Sequence, residues 1–299
     1  MNKKFSFCLL IALIAMIVIP SIASVISQRN NISNALAFRP SKRIKEASRF
    51  KNKYKRSKGN KIRSNVIEPF VSVVNPNHNY PIGRLFFADE SEEISCTANV
   101  INTSNGNIGL TAAHCLLDDN GNPLNLSLIS FSPGYDNRTN GPLGDIPVAD
   151  IAIPLQDNNN DYALVRFAFN DPDRRGARLQ DYTGALGWRF DIGNIEQTSV
   201  FGYPGDGDME DCARDGRHLC KWQGITELYD TFYSISNVDL GDGASGGPYI
   251  SQYDIETNLG YVYAVFGVYL TGSKLSVADI WEENIFLGLL LSMTPNNII

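Results

Sequence analysis

The chain has 299 residues, of which 43% are hydrophobic and 19% are charged. This balance excludes a disordered chain and a fibrous one, and the length allows one large all-β or α/β domain or two smaller ones. The net charge of −6 is divided unevenly, because residues 1–64 carry +14 and residues 65–299 carry −20. A body this acidic would repel phosphate backbones, which argues against nucleic acid as a partner.

The first 23 residues have the pattern of a secretory signal peptide. Lys3 and Lys4 precede an apolar run, Phe5–Ile19, and Ser21-Ile22-Ala23 offers a small-residue cleavage site. A membrane anchor is the alternative, but this run is short for spanning a bilayer. The sequence therefore predicts a secreted, extracellular protein without a stable membrane anchor.

Residues 24–63 are basic, polar and poor in apolar side chains, so they cannot build a core of their own. We interpret them as a propeptide, with a solvated basic tail or a segment that binds nucleic acid or heparin as alternatives. Their charge of +12 could dock on the acidic body. Lys55-Arg56 and Arg63 are candidate cleavage points for a processing protease. The mature domain would then span about residues 64–299.

Beyond residue 65 the sequence predicts many short apolar strands separated by turns, a pattern that is typical of an all-β sandwich or of barrels. Residues 170–190 could connect two halves, and one helix is predicted over Val277–Met293. The predicted strands are Ile82–Phe87, Thr97–Ile101, Leu126–Phe131, Ile151–Leu155, Tyr162–Phe169, Thr198–Tyr203, Thr231–Ile235 and Tyr261–Leu270.

Four cysteines remain once Cys8 leaves with the signal peptide: Cys96, Cys115, Cys212 and Cys220. In an oxidising compartment they suggest two disulfides with three possible connectivities, of which nearest-neighbour pairing is the simplest. A zinc site around Cys212, His218 and Cys220 would need four ligands, and only three Cys or His candidates are present there. Sequons at Asn102, Asn125 and Asn137 would be surface glycosylation sites.

The densest chemical signal is the run Gly241–Pro248, which surrounds Ser245 with glycines. Such glycines let the backbone turn tightly and bring N–H groups close to a substrate carbonyl, although a glycine-rich turn without function is the alternative. The run also matches the G-x-S-x-G motif of α/β-hydrolases, in which the histidine follows the serine. Every histidine here precedes Ser245, so that triad cannot be completed.

A triad in which the histidine precedes the serine can be completed from this sequence. His114 follows an apolar strand and two alanines, and Asp161 begins another apolar strand, where it could be buried facing the histidine. Each residue alone is compatible with a structural role. Together they run His114, Asp161, Ser245, which is the chain order of a chymotrypsin-type triad.

Three segments then resemble the signatures of the chymotrypsin-fold serine proteases: TAAHC at 111–115, DYALV at 161–165 and GDGASGGP at 241–248. Residues 80–85 and 201–206 resemble segments of the secreted glutamyl-endopeptidase-like branch. The similarity covers roughly residues 66–275. It implies two six-stranded antiparallel β-barrels, at about 66–170 and 190–275, with the site between them.

The resemblance also implies roles for individual residues. Ser245 would be the nucleophile, His114 its base and Asp161 the group that orients the imidazole. The N–H groups of Gly243 and Ser245 would form the oxyanion hole, and Cys96 would pair with Cys115. This acyl-transfer chemistry requires no metal or organic cofactor.

Asp150 is a rival for the role of the acid, because Asp150–Ile153 also resembles the acid segment. Asp161 lies 47 residues after His114, and this separation is closer to that of the family than the 36 residues to Asp150. The sequence therefore favours Asp161.

The pattern departs from the family at the specificity pocket. Tyr269 stands where glutamyl-specific members carry a histidine, so a preference for glutamate is in doubt. Asp239, six residues before Ser245, occupies the place of the pocket aspartate of trypsin-like enzymes and would favour arginine or lysine. The glutamyl branch also carries an aspartate there without basic specificity, so both readings stay open. Ala244 replaces the aspartate that traps a new N-terminus in animal zymogens.

The sequence thus predicts a secreted serine endopeptidase, made as a precursor, that acts on protein or peptide substrates. A non-catalytic binding or adhesion protein on a protease scaffold is the alternative from another class. A serine esterase or lipase is disfavoured by the order of the triad.

Overall fold

A computed structural model describes residues 81–88, 95–154, 160–208 and 213–294, together with the backbone of strand β1 (Ile67–Val71). The predicted signal peptide and propeptide, and Cys212, lie outside the described residues.

Six strands close into an antiparallel barrel in the order β2-β3-β4-β7-β6-β5. In β3 the apolar side chains of Cys96, Ala98 and Val100 alternate with polar ones and belong to the barrel core, and the polar residues between them are buried as well. Phe131 and Phe167 stack at its centre with 4.4 Å between ring centroids. This confirms the first predicted barrel. The strands are β2 (Ile82–Phe87), β3 (Ser95–Val100), β4 (Ile108–Thr111), β5 (Ile129–Pro133), β6 (Ile146–Ala152) and β7 (Ala163–Phe167).

The second predicted barrel is instead an open sheet of nine strands. It runs β14-β15-β11-β10-β9-β12-β13-β8, with β1 paired to β10. Its end strands β14 and β8 have three and two residues, which leaves little backbone to close a ring. The short helix α1 (Leu179–Thr183) precedes β8 in the chain and lies in the predicted connection. The remaining strands are β8 (Gly187–Trp188), β9 (Ile195–Gly202), β10 (Cys220–Tyr229), β11 (Phe232–Ser236), β12 (Pro248–Asp254), β13 (Leu259–Val265), β14 (Val268–Leu270) and β15 (Leu275–Asp279).

The predicted C-terminal helix begins later than expected. The segment from Val277 to Asp279 belongs to β15, because it pairs with β11 and buries Val277 and Ala278. Helix α2 spans only Glu283–Met293 and buries Phe286, Leu290 and Met293 on one face. Neither helix in the described part of the chain is long and apolar enough to cross a bilayer.

The two sheets meet through buried aromatic and polar groups. The hydroxyl of Tyr203, directly after β9, donates to the carbonyl oxygen of Tyr135, beyond β5, over 2.8 Å. The N–H of Thr97, in β3, donates to the carbonyl oxygen of Ser245, before β12, over 2.8 Å. The candidate site residues therefore lie where the barrel contacts the second sheet.

Candidate active site

His114 lies in a single 3-10 turn, Ala113–Leu116, directly after β4. The methyl side chains of Ala112 and Ala113 are buried, so the turn packs closely against the barrel. The next residue, Cys115, is joined to Cys96 of β3 by a disulfide. These contacts hold the histidine against the barrel while 27% of its side chain stays exposed.

Asp161 is the acid that the fold brings to this histidine. Its carboxylate is 3% exposed and accepts two hydrogen bonds from His114, one from the backbone N–H over 3.0 Å and one from Nδ1 over 2.9 Å. A carboxylate facing Nδ1 favours the tautomer with its proton on that nitrogen. Nε2 is then left as the acceptor, as a general base requires.

Asp150 lies elsewhere on the barrel. Its carboxylate pairs with Nη2 of Arg166 at 3.1 Å, across the ladder between β6 and β7, and its side chain is 48% exposed. A surface pair of this kind contributes little to stability. Of the two rival acids, only Asp161 is brought to His114 in the described structure.

The Ser245 loop turns tightly before β12. Gly241, Gly243 and Gly246 have φ angles of +83°, +93° and +84°, which side-chain-bearing residues rarely adopt. The Sγ atom of Cys115 lies 3.8 Å from both the carbonyl oxygen of Ser245 and Nε2 of His114. The candidate nucleophile and base therefore belong to segments in direct contact.

The backbone N–H groups of Gly243 and Ser245 donate to no acceptor among the described residues. The neighbouring amides behave differently: those of Ala244 and Gly246 donate to Gly241 and Phe266. Two free donors, one on the serine and one two residues before it, are suited to hold a developing oxyanion.

Thr97 is a site residue that sequence reasoning missed. Its hydroxyl donates to the carbonyl oxygen of Gly243 over 2.9 Å and accepts from the N–H of Tyr203 over 3.1 Å. Thr97 is fully buried and thus holds the peptide between Gly243 and Ala244, which lies between the two free amides in the chain. A lone threonine after a cysteine carries no sequence signal for this role.

Replacing Gly246 with alanine is expected to lower the free energy of unfolding by about 3 kcal/mol. The added Cβ would collide with the carbonyl oxygen of Thr97 and the hydroxyl of Thr111, and it would also meet the positive φ. Urea denaturation measures the change. Gly176→Ala is the matched control, because its φ is +79° and nothing lies within 4 Å of its added Cβ. It should lose only about 1 kcal/mol, and equal losses would contradict the packing argument.

One of the two predicted disulfides lies wholly within the described residues, and the other lies there only in part. Cys96 and Cys115 are joined, as expected. Cys220 is also disulfide-bonded, while its predicted partner Cys212 lies outside the described residues. Both sulfur atoms of the first pair lie within 4.8 Å of a ring nitrogen of His114, but sulfur in a disulfide is not a thiolate and does not ligate zinc as one. His218 contacts Asp215 instead, at 3.1 Å.

The predicted pocket residues Asp239 and Tyr269 both have carboxylates among their electrostatic neighbours. The pKa of Asp239 is raised, mainly by burial. The hydrogen bond from the N–H of Gly241 opposes this shift, and the nearby carboxylates of Asp206, Asp208 and Asp242 add to it. Burial and then the charges of Asp239 and Asp208 raise the pKa of the Tyr269 phenol. Four carboxylates, those of Asp206, Asp208, Asp239 and Asp242, therefore lie near one another beside the Ser245 loop.

No protein-family model matches the chain, and no curated protein matches it. Solved structures do. The protease Anisep from Arthrobacter nicotinovorans is 21% identical, with a TM-score of 0.58 over 75% of this chain and 99% of its own. The thermostable serine protease AL20 from an extremophilic microorganism is 20% identical, with a TM-score of 0.59 over 73% and 99%.

A Glu endopeptidase solved in complex with MPD is 16% identical, with a TM-score of 0.59 over 77% of this chain and 97% of its own. At these identities the likeness concerns the fold, and it extends over nearly the whole length of each neighbour. Together with the closed barrel, the second sheet and the C-terminal helix, it shows that this chain has the chymotrypsin-like fold of serine proteases.

Proposed function

We propose that the protein is a serine endopeptidase that uses His114, Asp161 and Ser245. The observation that carries the proposal is the buried Asp161 carboxylate, which accepts two hydrogen bonds from His114 where the Ser245 loop contacts the same turn. A buried carboxylate needs such partners. Sγ of Cys115 lies 3.8 Å both from Nε2 of His114 and from the carbonyl oxygen of Ser245, which supports a placement of the base beside the serine loop.

In the proposed reaction, Oγ of Ser245 bonds to the substrate carbonyl carbon while Nε2 of His114 takes the hydroxyl proton. Asp161 stabilises the imidazolium, and the amides of Gly243 and Ser245 bind the oxyanion. The carbon–nitrogen bond then breaks, and His114 gives its proton to the leaving amine. Water attacks the acyl-enzyme in the same manner, which releases the second product and restores the serine.

We also propose that the enzyme is secreted as a precursor. The signal-like segment 1–23 and the four cysteines of the body favour an oxidising, extracellular setting. The basic segment 24–63 would be removed by a processing protease, after Lys55-Arg56 or Arg63. The sequons at Asn102, Asn125 and Asn137 would then be glycosylated, and each of these asparagines is exposed.

For the specificity pocket we propose a preference for arginine or lysine before the scissile bond. The acidic surroundings of Asp239 would repel a glutamate and attract a cation. Among the described residues, the guanidinium of Arg214 donates to the carbonyl oxygen of Gly207. It donates to none of the described carboxylates of Asp206, Asp208, Asp239 and Asp242, so it does not take the place of a substrate cation.

Asp239→Asn is expected to lower kcat/KM for arginine substrates at least about tenfold, since it removes the central charge of the pocket. Substrates with an uncharged residue at that position should change little. A peptide library cleaved by both proteins measures the effect. Asp254→Asn is the control. Asp254 ends β12, and its carboxylate accepts a hydrogen bond from the N–H of Glu256 in the turn to β13. A wild-type preference for glutamate would contradict the proposed pocket.

The test of the proposed function is covalent labelling with a fluorophosphonate. Oγ of an activated serine displaces fluoride from phosphorus, so only a serine with a working base reacts rapidly. Wild type should be labelled after residues 1–63 are removed, whereas Ser245→Ala and His114→Ala should not. If the wild-type protein is folded, has its disulfides intact and still stays unlabelled, the protease proposal fails. A non-catalytic binding scaffold then becomes the better hypothesis.

A further inference from the structure

Asp279 joins the second sheet to the candidate acid. It is the last residue of β15, where it pairs with Phe232 of β11. Its Oδ2 accepts a hydrogen bond from the backbone N–H of Asp161 over 2.7 Å, across 118 residues of sequence. Asp161 leads into β7 of the barrel, so this bond crosses between the two sheets at the residue that contacts His114.

The bond meets Asp161 on the side that its own carboxylate does not use. The carboxylate of Asp161 is turned toward His114, and the N–H is turned toward the second sheet. Because β7 begins at Ala163, the N–H of Asp161 lies outside the strand ladder. An N–H bonded to a carboxylate at this distance is a strong, charge-assisted contact.

A second contact from the same sheet limits where the Asp161 carboxylate can move. A Cβ added at Gly267 would lie 2.9 Å from its Oδ2, so the backbone of Gly267 lies directly beside this oxygen. The N–H of Gly267 in turn donates to the carbonyl oxygen of Val277 in β15. Strand β15 thus supports Asp161 both directly, through Asp279, and through Gly267.

We propose that Asp279 is a positioning residue, which holds the backbone of Asp161 so that its carboxylate meets Nδ1 of His114. The inference deepens the proposed function and rests on it for the kinetic readout. Asp279 acts through Asp161 and is not placed against the substrate. Its role is geometric: the acceptor oxygen matters more than the negative charge.

Other acidic groups surround Asp279, so the test must distinguish the loss of its acceptor oxygen from the loss of its negative charge. Burial raises the pKa of the neighbouring Tyr162 phenol, and the carboxylates of Glu282 and Asp279 raise it further. Two acidic side chains therefore lie close to the residue that follows Asp161. A loss of charge alone could alter the site without any loss of position.

The experiment compares Asp279→Asn, which keeps an acceptor oxygen, with Asp279→Leu, which has a similar size and no acceptor. Both variants remove the charge. Each is expressed from the full chain and used in its processed form, with active sites counted by fluorophosphonate. Glu282→Gln is the charge control, because it removes the neighbouring charge from an exposed side chain without touching Asp161.

Asp279→Leu is expected to lower kcat about 10- to 100-fold per active site, with KM within about twofold of wild type, because displaced catalytic groups cost rate rather than binding. Asp279→Asn should stay within about threefold of wild type in kcat, and Glu282→Gln should match wild type. Equal kcat values for the leucine and asparagine variants would overturn the inference.

A second readout does not depend on activity. The Nδ1 proton of His114 should give a low-field NMR resonance, which Asp279→Leu should broaden or shift and Asp279→Asn should retain. If wild type shows this resonance but no hydrolysis, the proposed function fails while the positioning role is still tested. If the leucine variant does not fold, Asp279→Asn must shift the Asp161 amide proton, since its acceptor is weaker. An unchanged amide resonance would then overturn the inference.

Discussion

Ser245→Ala is expected to lower kcat by about 10⁶-fold, because the acyl-enzyme can no longer form. KM should change little, since the serine hydroxyl contributes mainly to the transition state. The loop itself should stay intact: its structure depends on the glycine turns and on the bond from Thr97 to the Ser245 carbonyl, neither of which involves the hydroxyl. Fluorogenic peptide hydrolysis measures the loss.

The companion experiment asks whether Ser245 and His114 act as one unit. Residues of a triad are strongly non-additive, so His114→Ala and the double variant should each fall to about the same rate as Ser245→Ala. Residual hydrolysis above the uncatalysed rate would come from the two amides and from substrate binding. If the two losses instead multiplied in the double variant, serine and histidine would have separate roles.

Asp161→Asn is expected to lower kcat by about 10⁴-fold. The amide nitrogen of asparagine would donate to Nδ1 of His114 and force the ring proton onto Nε2. The imidazole could then no longer accept the proton of Ser245. Because asparagine and aspartate have the same shape, the bonds at the backbone of residue 161 should persist. Circular dichroism and thermal melting would verify that the variant is folded.

Asp150→Asn is the matched control for this prediction. It changes the rival acid in the same way, but Asp150 contacts Arg166 on the barrel surface. Its kcat should remain within about twofold of wild type, and its stability within about 1 kcal/mol. Reversed effects of the two variants would move the acid role to Asp150 and contradict the assignment of Asp161.

Short-range patterns explain how well the strands could be predicted. Ile82–Phe87 was predicted at both ends, because an apolar run bounded by turn residues leaves little choice. Tyr261–Leu270 was predicted as one strand and is two. The break falls at Phe266 and Gly267, whose N–H groups donate to Gly247 and Val277. Partners that lie so far away in the sequence do not alter the local pattern of apolar residues from which the strand was predicted.

Strand β10 escaped prediction for a related reason. Its polar residues, among them Lys221, do not suggest a buried strand. Lys221 is nonetheless 2% exposed, with its ammonium group 4.6 Å from the ring centroid of Tyr253. Burial lowers the pKa of this lysine to about 8. An aromatic surface that covers a lysine is supplied by other strands, so only the folded chain reveals it.

The sequence by itself determined the candidate catalytic segments and their order along the chain. Glycines around Ser245, the turn at His114 and the acid before an apolar strand are local patterns. The tertiary structure decided which acid meets the histidine, which amides near Ser245 stay free, and which residues support them. Thr97 and Asp279 act across 146 and 118 residues of sequence. Hydrogen bonds of this range depend on how the barrel packs against the second sheet, and no local pattern encodes that packing.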